Sequence, residues 1–290
     1  MGIARDILSP ISTIYDLQSA DSMSDSVLHM NASDSPPVGV LGVGQLAQHL
    51  VEGLCGACVR SRLLLSPRSS DRAEALAQRF SLEIAPDNQS VVDGSDVVIL
   101  SVPTDQAVKV ASDLKFDKRH VVVCVAAGLK HERLARAALP AKTVRAIPST
   151  SASVRESATV LYPGDDTAEK TLGLVGTVHV FDNEYAFEVA SITAAYYGWV
   201  FALMAEISGW LESRGVEETE AKTLVAQMTR GVCAMCMEGG KDMATEGRVI
   251  GRPGTYTGLG LDFLQRMDAF SAWSETLDAV LDASRRGKPV

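Results

Sequence analysis

Apolar and polar positions in the first two thirds of the chain alternate between short, fully apolar runs and amphipathic helical patterns. The run VGVLGV, which starts at Val38, is followed by glycines and then by a helical pattern from Gln45 to about Gly53. A helix is also predicted over Asp71–Phe80. Further strands are predicted at Arg62–Leu65, Asp93–Val102, His120–Val125, Thr143–Ile147 and Thr177–Phe181. Apolar strands separated by helices predict an α/β fold with a Rossmann-type, mostly parallel sheet.

From Asp182 onward the pattern is helical only. Its three long segments are Glu184–Ser213, Glu217–Gly239 and Phe263–Arg285. The stretch AAYYGW around Tyr196 is apolar almost all round, which predicts burial on several sides and a subunit interface. We therefore predict three regions. They are an accessory or flexible N-terminal extension over 1–36, a dinucleotide-binding Rossmann domain over 37–183, and an all-α dimerisation and substrate domain over 184–290.

Composition narrows the classes of partner. The 290 residues are 46% hydrophobic and 22% charged, and the formal net charge is -9. This charge gives no attraction to nucleic acid or to an anionic membrane surface, so neither is an expected partner. The longest uncharged apolar run, Val189 to Ala205, contains hydroxyl groups and is interpreted as a buried helix. The N-terminus shows neither a signal-peptide nor a transit-peptide pattern, so a cytoplasmic location is expected.

The cysteines indicate neither a disulfide framework nor a metal site. Five cysteines, an odd number, are spread through a long chain, which is typical of reduced thiols. The pairs Cys55-x-x-Cys58 and Cys233-x-x-Cys236 have the spacing of zinc ligands. Both pairs fall inside predicted helices, whereas structural zinc ligands usually lie on turns, so no metal is expected.

The segment Gly42-Val43-Gly44-Gln45-Leu46-Ala47 fits the dinucleotide-binding pattern G-x-G-x-x-G/A. Gly42 allows a tight turn, Gly44 lets the backbone approach a pyrophosphate, and Ala47 lets the helix pack closely on the strand. Amides at the helix N-terminus, around Gln45 and Leu46, attract negative charge. Because the motif follows a predicted strand and opens a predicted helix, we predict a dinucleotide site. A purely structural glycine turn is the alternative.

The end of the second predicted strand indicates which dinucleotide binds. NAD sites usually carry Asp or Glu there, whereas this chain has Ser66, Pro67, Arg68 and Ser69, with Arg72 one turn later. A guanidinium and two hydroxyls suit a phosphomonoester. We therefore predict that Ser66, Arg68 and Ser69 bind a 2′-phosphate, and that NADP(H) is preferred over NAD(H). A solvated turn is the alternative.

Five stretches between about residues 38 and 280 resemble the pyrroline-5-carboxylate reductase family. They are VGVLGVGQLA, DVVILSV, VVVCVAAGL, VRAIPSTSASVRESATVLYPG and RPGTYTGLGLDFL. Members of this family are NAD(P)H-dependent enzymes that make proline from a cyclic imine. The resemblance implies a Rossmann domain followed by a helical domain, a homodimer or larger homo-oligomer, and reduction of a C=N bond. It also assigns Val102, Pro103 and Ala126 to the cofactor site.

The most specific resemblance lies in residues 252–257, which correspond to the family's Ser-Pro-Gly-Gly-Thr-Thr substrate loop. Three of the six positions match, and Arg252, Thr255 and Tyr256 replace the family's Ser, second Gly and first Thr. Thr257 matches the family hydroxyl near the imine nitrogen, which makes it the expected hydrogen-bond donor or proton relay. Tyr256 is a second candidate proton donor, with pocket wall as its alternative role.

Substrate binding is implied at the same loop, because it precedes a helix predicted to start near Gly260 whose N–H groups attract a carboxylate. Arg252 adds a bidentate carboxylate contact, unless it is a surface residue that pairs with a neighbouring acid. The implied substrate-binding residues are Arg252, Gly254, Thr255, Tyr196 and Tyr197.

These observations predict an NADPH-dependent reductase of a C=N bond in a small, carboxylate-bearing cyclic imine. Because the loop departs from the family pattern, a larger or differently charged imine or carbonyl substrate fits as well. One alternative is an NADP-dependent hydroxy-acid or carbonyl dehydrogenase on the same two-domain plan. Another is a catalytically weak, NADP-binding regulatory protein. The discriminating feature is the pocket built from 252–257 with Tyr196 and Tyr197: an open cleft over the nicotinamide would favour an enzyme, and a filled one would favour a binding protein.

Overall fold

A computed structural model describes residues 35–57, 62–68, 70–239 and 242–286, and one eight-stranded sheet forms its centre. The strands are β1 Val38–Leu41, β2 Leu63–Leu65, β3 Glu83–Ile84, β4 Val97–Leu100, β5 Val121–Cys124, β6 Lys142–Ile147, β7 Ser157–Tyr162 and β8 Gly176–Val180. Their order across the sheet is β3-β2-β1-β4-β5-β6-β7-β8. Every neighbouring pair is parallel except β6 with β7. The predicted α/β class with a Rossmann-type sheet is confirmed.

Helices follow the strands in the first part of the chain and replace them in the second. The first group is α1 Gln45–Gly56, α2 Ser70–Phe80, α3 Asn88–Asp93, α4 Thr104–Ser112, α5 His131–Ala137 and α6 Asp166–Gly173, with a 3-10 helix at Thr150–Val154. The second group is α7 Glu184–Ser191, α8 Thr193–Ser213, α9 Glu218–Gly239, α10 Met243–Ile250, α11 Tyr256–Arg266 and α12 Ala269–Arg286. The predicted helical C-terminal region is confirmed.

The core is built on both faces of the sheet. Every residue of β1, β4 and β5 is buried. Along β4, Val97 and Ile99 pack into one apolar layer and Val98 and Leu100 into the other. Strands buried on both faces have no polar side to alternate with, which explains their continuous apolar sequences. This packing holds the carboxyl ends of β1, β4 and β5 side by side at one edge of the sheet.

Several element boundaries differ from the sequence prediction for local reasons. The strand predicted from Asp93 starts only at Val97, because Asp87 caps α3 and its carboxylate accepts the Ser90 N–H at 2.7 Å. The antiparallel strand β7 was not predicted. The last predicted helix is two helices, separated at Asp268, where φ is +54°. Helix α11 starts at Tyr256 instead of Gly260.

The apolar helix that was expected to be buried is largely exposed in the single chain. Ser208 is the one buried residue of α8, and the large side chains of Phe201 and Trp210 are more than half exposed. Among the described residues, one helix, Glu184–Ser213, is long and apolar enough to cross a membrane by length and composition, with 11% of its most apolar window buried. A single such helix is weak support for a membrane span, since apolar helices of soluble proteins pass the same test of length and composition.

Candidate active site

The glycine loop after β1 has the geometry that a dinucleotide requires. Gly42 has φ +87°, and a Cβ there would lie 2.5 Å from the carbonyl oxygen of Ser101, so only glycine fits. Gly44 is the N-cap of α1, no side chain caps this helix end, and no atom lies within 4 Å of a Cβ placed on Gly44. An open space therefore faces uncapped amides at the start of α1, as a pyrophosphate requires.

Ser66 supports this loop from the end of β2. The side chain is fully buried, and its Oγ accepts the N–H of Gly42 at 3.0 Å. This hydrogen bond fixes the glycine turn. Ser66 still has its own O–H to donate, and its role as a donor to a 2′-phosphate stays a prediction. Arg68 is exposed two residues further on, and Ser69 lies outside the described residues.

The remaining predicted cofactor contacts lie at the ends of the two neighbouring strands. Val102 and Pro103 follow β4, and Ala126 follows β5. The loops are tied together, because Thr104 Oγ1 donates a hydrogen bond to the carbonyl oxygen of Ala127 at 2.8 Å. In the sheet, β1 and β4 are adjacent, and the strand order reverses at this point: β2 and β3 lie on the far side of β1, and the later strands lie beyond β4. Ligands of such sheets bind in the crevice at this point.

Beyond the end of β5 lies a cleft of about 450 Å³. Its walls come from the loop after β5, from β6, and from the helices α7, α8 and α12. The lining residues are Ala127, Gly128, Lys130, Arg145, Ile147, Tyr185, Glu188, Ser191, Ile192, Ala194, Ala195, Val280, Ser284 and Arg285. The volume is that of a small-molecule site, and the mixture of apolar walls with a few charged groups is typical of one.

Charged side chains of the cleft form a connected network around Arg145. This residue is 2% exposed, and its Nη1 donates to Glu184 Oε1 at 2.8 Å. Glu188 Oε1 lies 3.9 Å from the same Nη1 and 2.5 Å from Lys130 Nζ. The Arg145 guanidinium also stacks over the Phe187 ring at 4.5 Å. Two cations are thereby neutralised by two carboxylates at the inner wall of the cleft.

Burial acts on the ionisation of Arg145. It lowers the pKa of the guanidinium below its ordinary value, and the charge and hydrogen bond of Glu184 oppose this shift. Glu184 also accepts the N–H of His131 at 2.7 Å. This carboxylate therefore joins β6 to the first turn of α5, so the network positions the loop between β5 and α5 that forms one wall of the cleft.

The predicted substrate residues lie elsewhere in the single chain. Tyr256 is 95% exposed, Arg252 and Gly254 are exposed, and Thr255 caps α11 by accepting the N–H of Gly258 at 3.0 Å. Because α11 starts at Tyr256, Thr257 lies in the first helical turn.

The two tyrosines of α8 also lie away from the cleft. The Tyr196 ring packs against Trp273, with ring centres 6.3 Å apart, and the Tyr197 ring packs against Phe201 at 5.3 Å. Neither tyrosine, and no residue of the loop 252–257, is among the described residues that line the cleft of the same chain.

The sequence analysis missed the charged residues of the cleft. A signal existed for Arg145, since an arginine in the middle of an otherwise buried strand needs a buried partner. Glu184 and Glu188 are four residues apart on one helix and lie on one face, as such partners do. No local signal identified Arg285, because its contacts join segments that are far apart in the sequence.

None of the four cysteines in the described part of the chain lines the cleft. Cys55 and Cys124 are buried free thiols, and burial raises the pKa of the Cys124 thiol. Cys233 is exposed and Cys236 half-buried, both free, whereas Cys58 lies outside the described residues. Within the described part of the chain, no group of three or more His, Cys, Asp or Glu side chains is placed to hold a metal ion.

Comparison with known proteins agrees with this architecture. Residues 37–128 match the family model described as NADP oxidoreductase coenzyme F420-dependent, and residues 185–287 match pyrroline-5-carboxylate reductase dimerisation. The pyrroline-5-carboxylate reductase of Arabidopsis thaliana is 25% identical over 267 residues, covering 88% of this chain and 96% of its own length.

Two solved structures share the fold. A pyrroline-5-carboxylate reductase from Coxiella burnetii superposes with a TM-score of 0.77 at 22% identity, over 89% of this chain and 100% of the other. The Plasmodium falciparum pyrroline carboxylate reductase with NADP bound gives 0.76 at 18% identity, over 87% and 97%.

The glycine loop with Gly42 and Gly44, called the glycine cradle below, the sheet order and the two matched regions define an NAD(P)-dependent oxidoreductase with a Rossmann domain and a helical dimerisation domain. Within that class, the two family models and the relatives at about 25% identity support a divergent member of the pyrroline-5-carboxylate reductase family.

Proposed function

We propose that this protein reduces the C=N bond of a small, carboxylate-bearing imine with NADPH. The observation that carries the proposal is the open cleft of about 450 Å³ at the loop after β5, directly beyond the predicted cofactor contact Ala126. A small cyclic imine fits this volume. An open cleft beside the predicted nicotinamide contacts supports an enzyme, although the loop 252–257 and the two tyrosines do not line it in the single chain.

The residues at the carboxyl ends of the parallel strands fit the cofactor. The Gly44 cradle and the amides of Gln45, Leu46 and Ala47 would hold the pyrophosphate, and Arg68 would lie at the adenosine end. Residues Val102, Pro103 and Ala126 would contact the nicotinamide end. When bound there, NADPH supplies a hydride from its nicotinamide C4. The task of the protein is then to hold the imine carbon beside Ala126–Gly128 and to exclude water.

A second copy of the chain completes the site in this proposal. The exposed apolar faces of α8 and α11 and the match to a dimerisation region support a homodimer or larger homo-oligomer. The exposed loop 252–257 of one copy can then close the cleft of the other. In that arrangement Arg252, Gly254 and Thr255 contact the substrate, and Thr257 or Tyr256 delivers the proton to the imine nitrogen.

The preference for NADPH rests on Arg68 in this proposal. Arg68→Ala is expected to raise the KM for NADPH about tenfold or more and to leave the KM for NADH nearly unchanged, because only NADPH carries the 2′-phosphate. Arg79, in the last turn of α2, provides a control of equal charge at the other end of that helix. An equal effect of Arg68→Ala on the two cofactors would contradict the assignment.

The reductase activity is tested by following the loss of NADPH absorbance with a panel of cyclic imines, acyclic imines and keto acids. We expect turnover of at least one carboxylate-bearing imine by a species that light scattering shows to contain two or more chains. Turnover of keto acids alone would replace the proposal with a carbonyl dehydrogenase. Tight NADPH binding without any turnover would replace it with a binding protein.

A further inference from the structure

The cleft contains one cation whose charge is not neutralised within the described residues. Lys130 pairs with Glu188, and Arg145 pairs with Glu184. Arg285 also lines the cleft, but across the described residues no carboxylate lies within ion-pair distance of it. The three cations and two carboxylates leave a net charge of one positive unit, so the cleft favours an anion.

Arg285 is held at the cleft by packing. It lies in the last turn of α12, and its guanidinium stacks over the Tyr185 ring with 5.0 Å between the Cζ atom and the ring centre. A cation–π contact holds the guanidinium beside the ring and leaves its N–H groups free to donate. A planar guanidinium with free edges is suited to bidentate binding of a carboxylate.

The last turn of α12 also lies next to the loop after β5, where the nicotinamide end of the cofactor is predicted to bind. A Cβ on Gly128 would be 3.6 Å from the carbonyl oxygen of Ser284, the residue before Arg285. Gly128 is two residues beyond Ala126, the predicted contact of the nicotinamide end. A small molecule that reaches from this loop to Arg285 therefore spans one cleft, with its reacting carbon at the loop and its anionic group at the helix end.

We propose that Arg285 binds the carboxylate of the substrate and makes the enzyme selective for imines that carry one. This inference rests on the proposed function and deepens it, since it moves carboxylate recognition from the loop at Arg252 to the C-terminal helix of the chain that forms the cleft. Glu188 and Lys130 then face the remainder of the substrate and, as a neutralised pair, do not compete for the carboxylate.

The test compares two imines that differ only in the carboxylate, pyrroline-5-carboxylate and 1-pyrroline. Arg285→Ala is expected to raise the KM for pyrroline-5-carboxylate about tenfold or more, with kcat and the KM values for 1-pyrroline and NADPH nearly unchanged. Arg285→Lys should recover part of the lost affinity for pyrroline-5-carboxylate, since lysine restores the positive charge but not the two parallel N–H donors of the guanidinium. The matched control is Arg286→Ala, which removes the same charge one residue away; both arginines are exposed, but Arg286 does not line the cleft.

Three results would overturn the inference. Equal losses for both imines would mean that Arg285 has a structural role, and equal losses in Arg285→Ala and Arg286→Ala would mean a general charge effect. If Arg252→Ala raises the KM for the carboxylated imine while Arg285→Ala does not, the loop binds the carboxylate.

A binding measurement separates this inference from the proposed function. With saturating NADP, proline is expected to raise the Tm of the wild-type protein but not that of Arg285→Ala, and pyrrolidine is expected to have no effect on either. Should this pattern appear in a protein that reduces no imine, the anion site would stand and the proposed reaction would fail. Should proline stabilise both proteins equally, Arg285 would not be its carboxylate partner.

Discussion

Gly44→Asp is expected to weaken NADPH binding by about 100-fold or more while the protein stays folded. The introduced carboxylate would lie at the N-terminus of α1. There it would accept hydrogen bonds from the amide N–H groups that the pyrophosphate needs, and its negative charge would repel the pyrophosphate. The fold should tolerate the change, because Gly44 has extended backbone angles and no atom lies within 4 Å of the new Cβ. Aspartate is also a favoured N-cap, so Tm should stay equal or rise.

Two variants separate the causes of this loss. Gly44→Asn adds the same volume without the charge, and we expect it to weaken binding less than Gly44→Asp does. Gly42→Ala is expected to lower Tm, since Gly42 has φ +87° and Ser101 leaves no room for a Cβ. Titration calorimetry with NADPH and thermal unfolding measure the two properties independently. Normal NADPH affinity in Gly44→Asp would contradict the assignment of the glycine cradle.

Arg145→Ala is expected to lower the free energy of unfolding by about 3 kcal/mol, which corresponds to a decrease in Tm of roughly 6–12 °C for a chain of this size. The substitution removes the cation that Glu184 pairs with, and Glu184 is only 27% exposed. It also removes the stacking on Phe187 and leaves a cavity. The measurement is denaturant or thermal unfolding of the purified protein.

The control for Arg145→Ala lies on the same strand. Lys142 is 70% exposed and pairs with Asp165 at 3.3 Å, so Lys142→Ala removes an exposed cation from β6. The Asp165 carboxylate is only 8% exposed, but it also accepts the N–H groups of Thr167 and Ala168, so it keeps hydrogen-bond partners and the expected loss is at most about 1 kcal/mol. Equal losses of stability in the two variants would show that the buried network does not stabilise the fold in the way described.

The parts of the structure that the sequence predicted are those set by local patterns. The glycine loop, β1 and α1 follow from a few adjacent residues, since a strand, a positive φ and a helix start leave a recognisable order of residue types. The parallel strands were found because burial on both faces makes them continuously apolar. The antiparallel β7 was missed, because SATVLY mixes small hydroxyl residues with apolar ones and shows no clean period.

The cleft depends on contacts between distant segments, which no local pattern records. Arg285 meets Tyr185 across a hundred residues of sequence, and neither residue is unusual in its own helix. The resemblance identified the loop 252–257, yet the single chain does not bring that loop to the cleft. That difference is what a site completed by a second copy predicts, and it is why the loop residues remain part of the proposal.

The central claim, transfer of a hydride to an imine carbon, is tested most directly with NADPH that carries deuterium at both C4 positions. After turnover of the best imine substrate, mass spectrometry and NMR should find one deuterium in the product amine, bonded to the former C=N carbon. An unlabelled amine, or label found only in an alcohol formed from a carbonyl compound, would contradict the account.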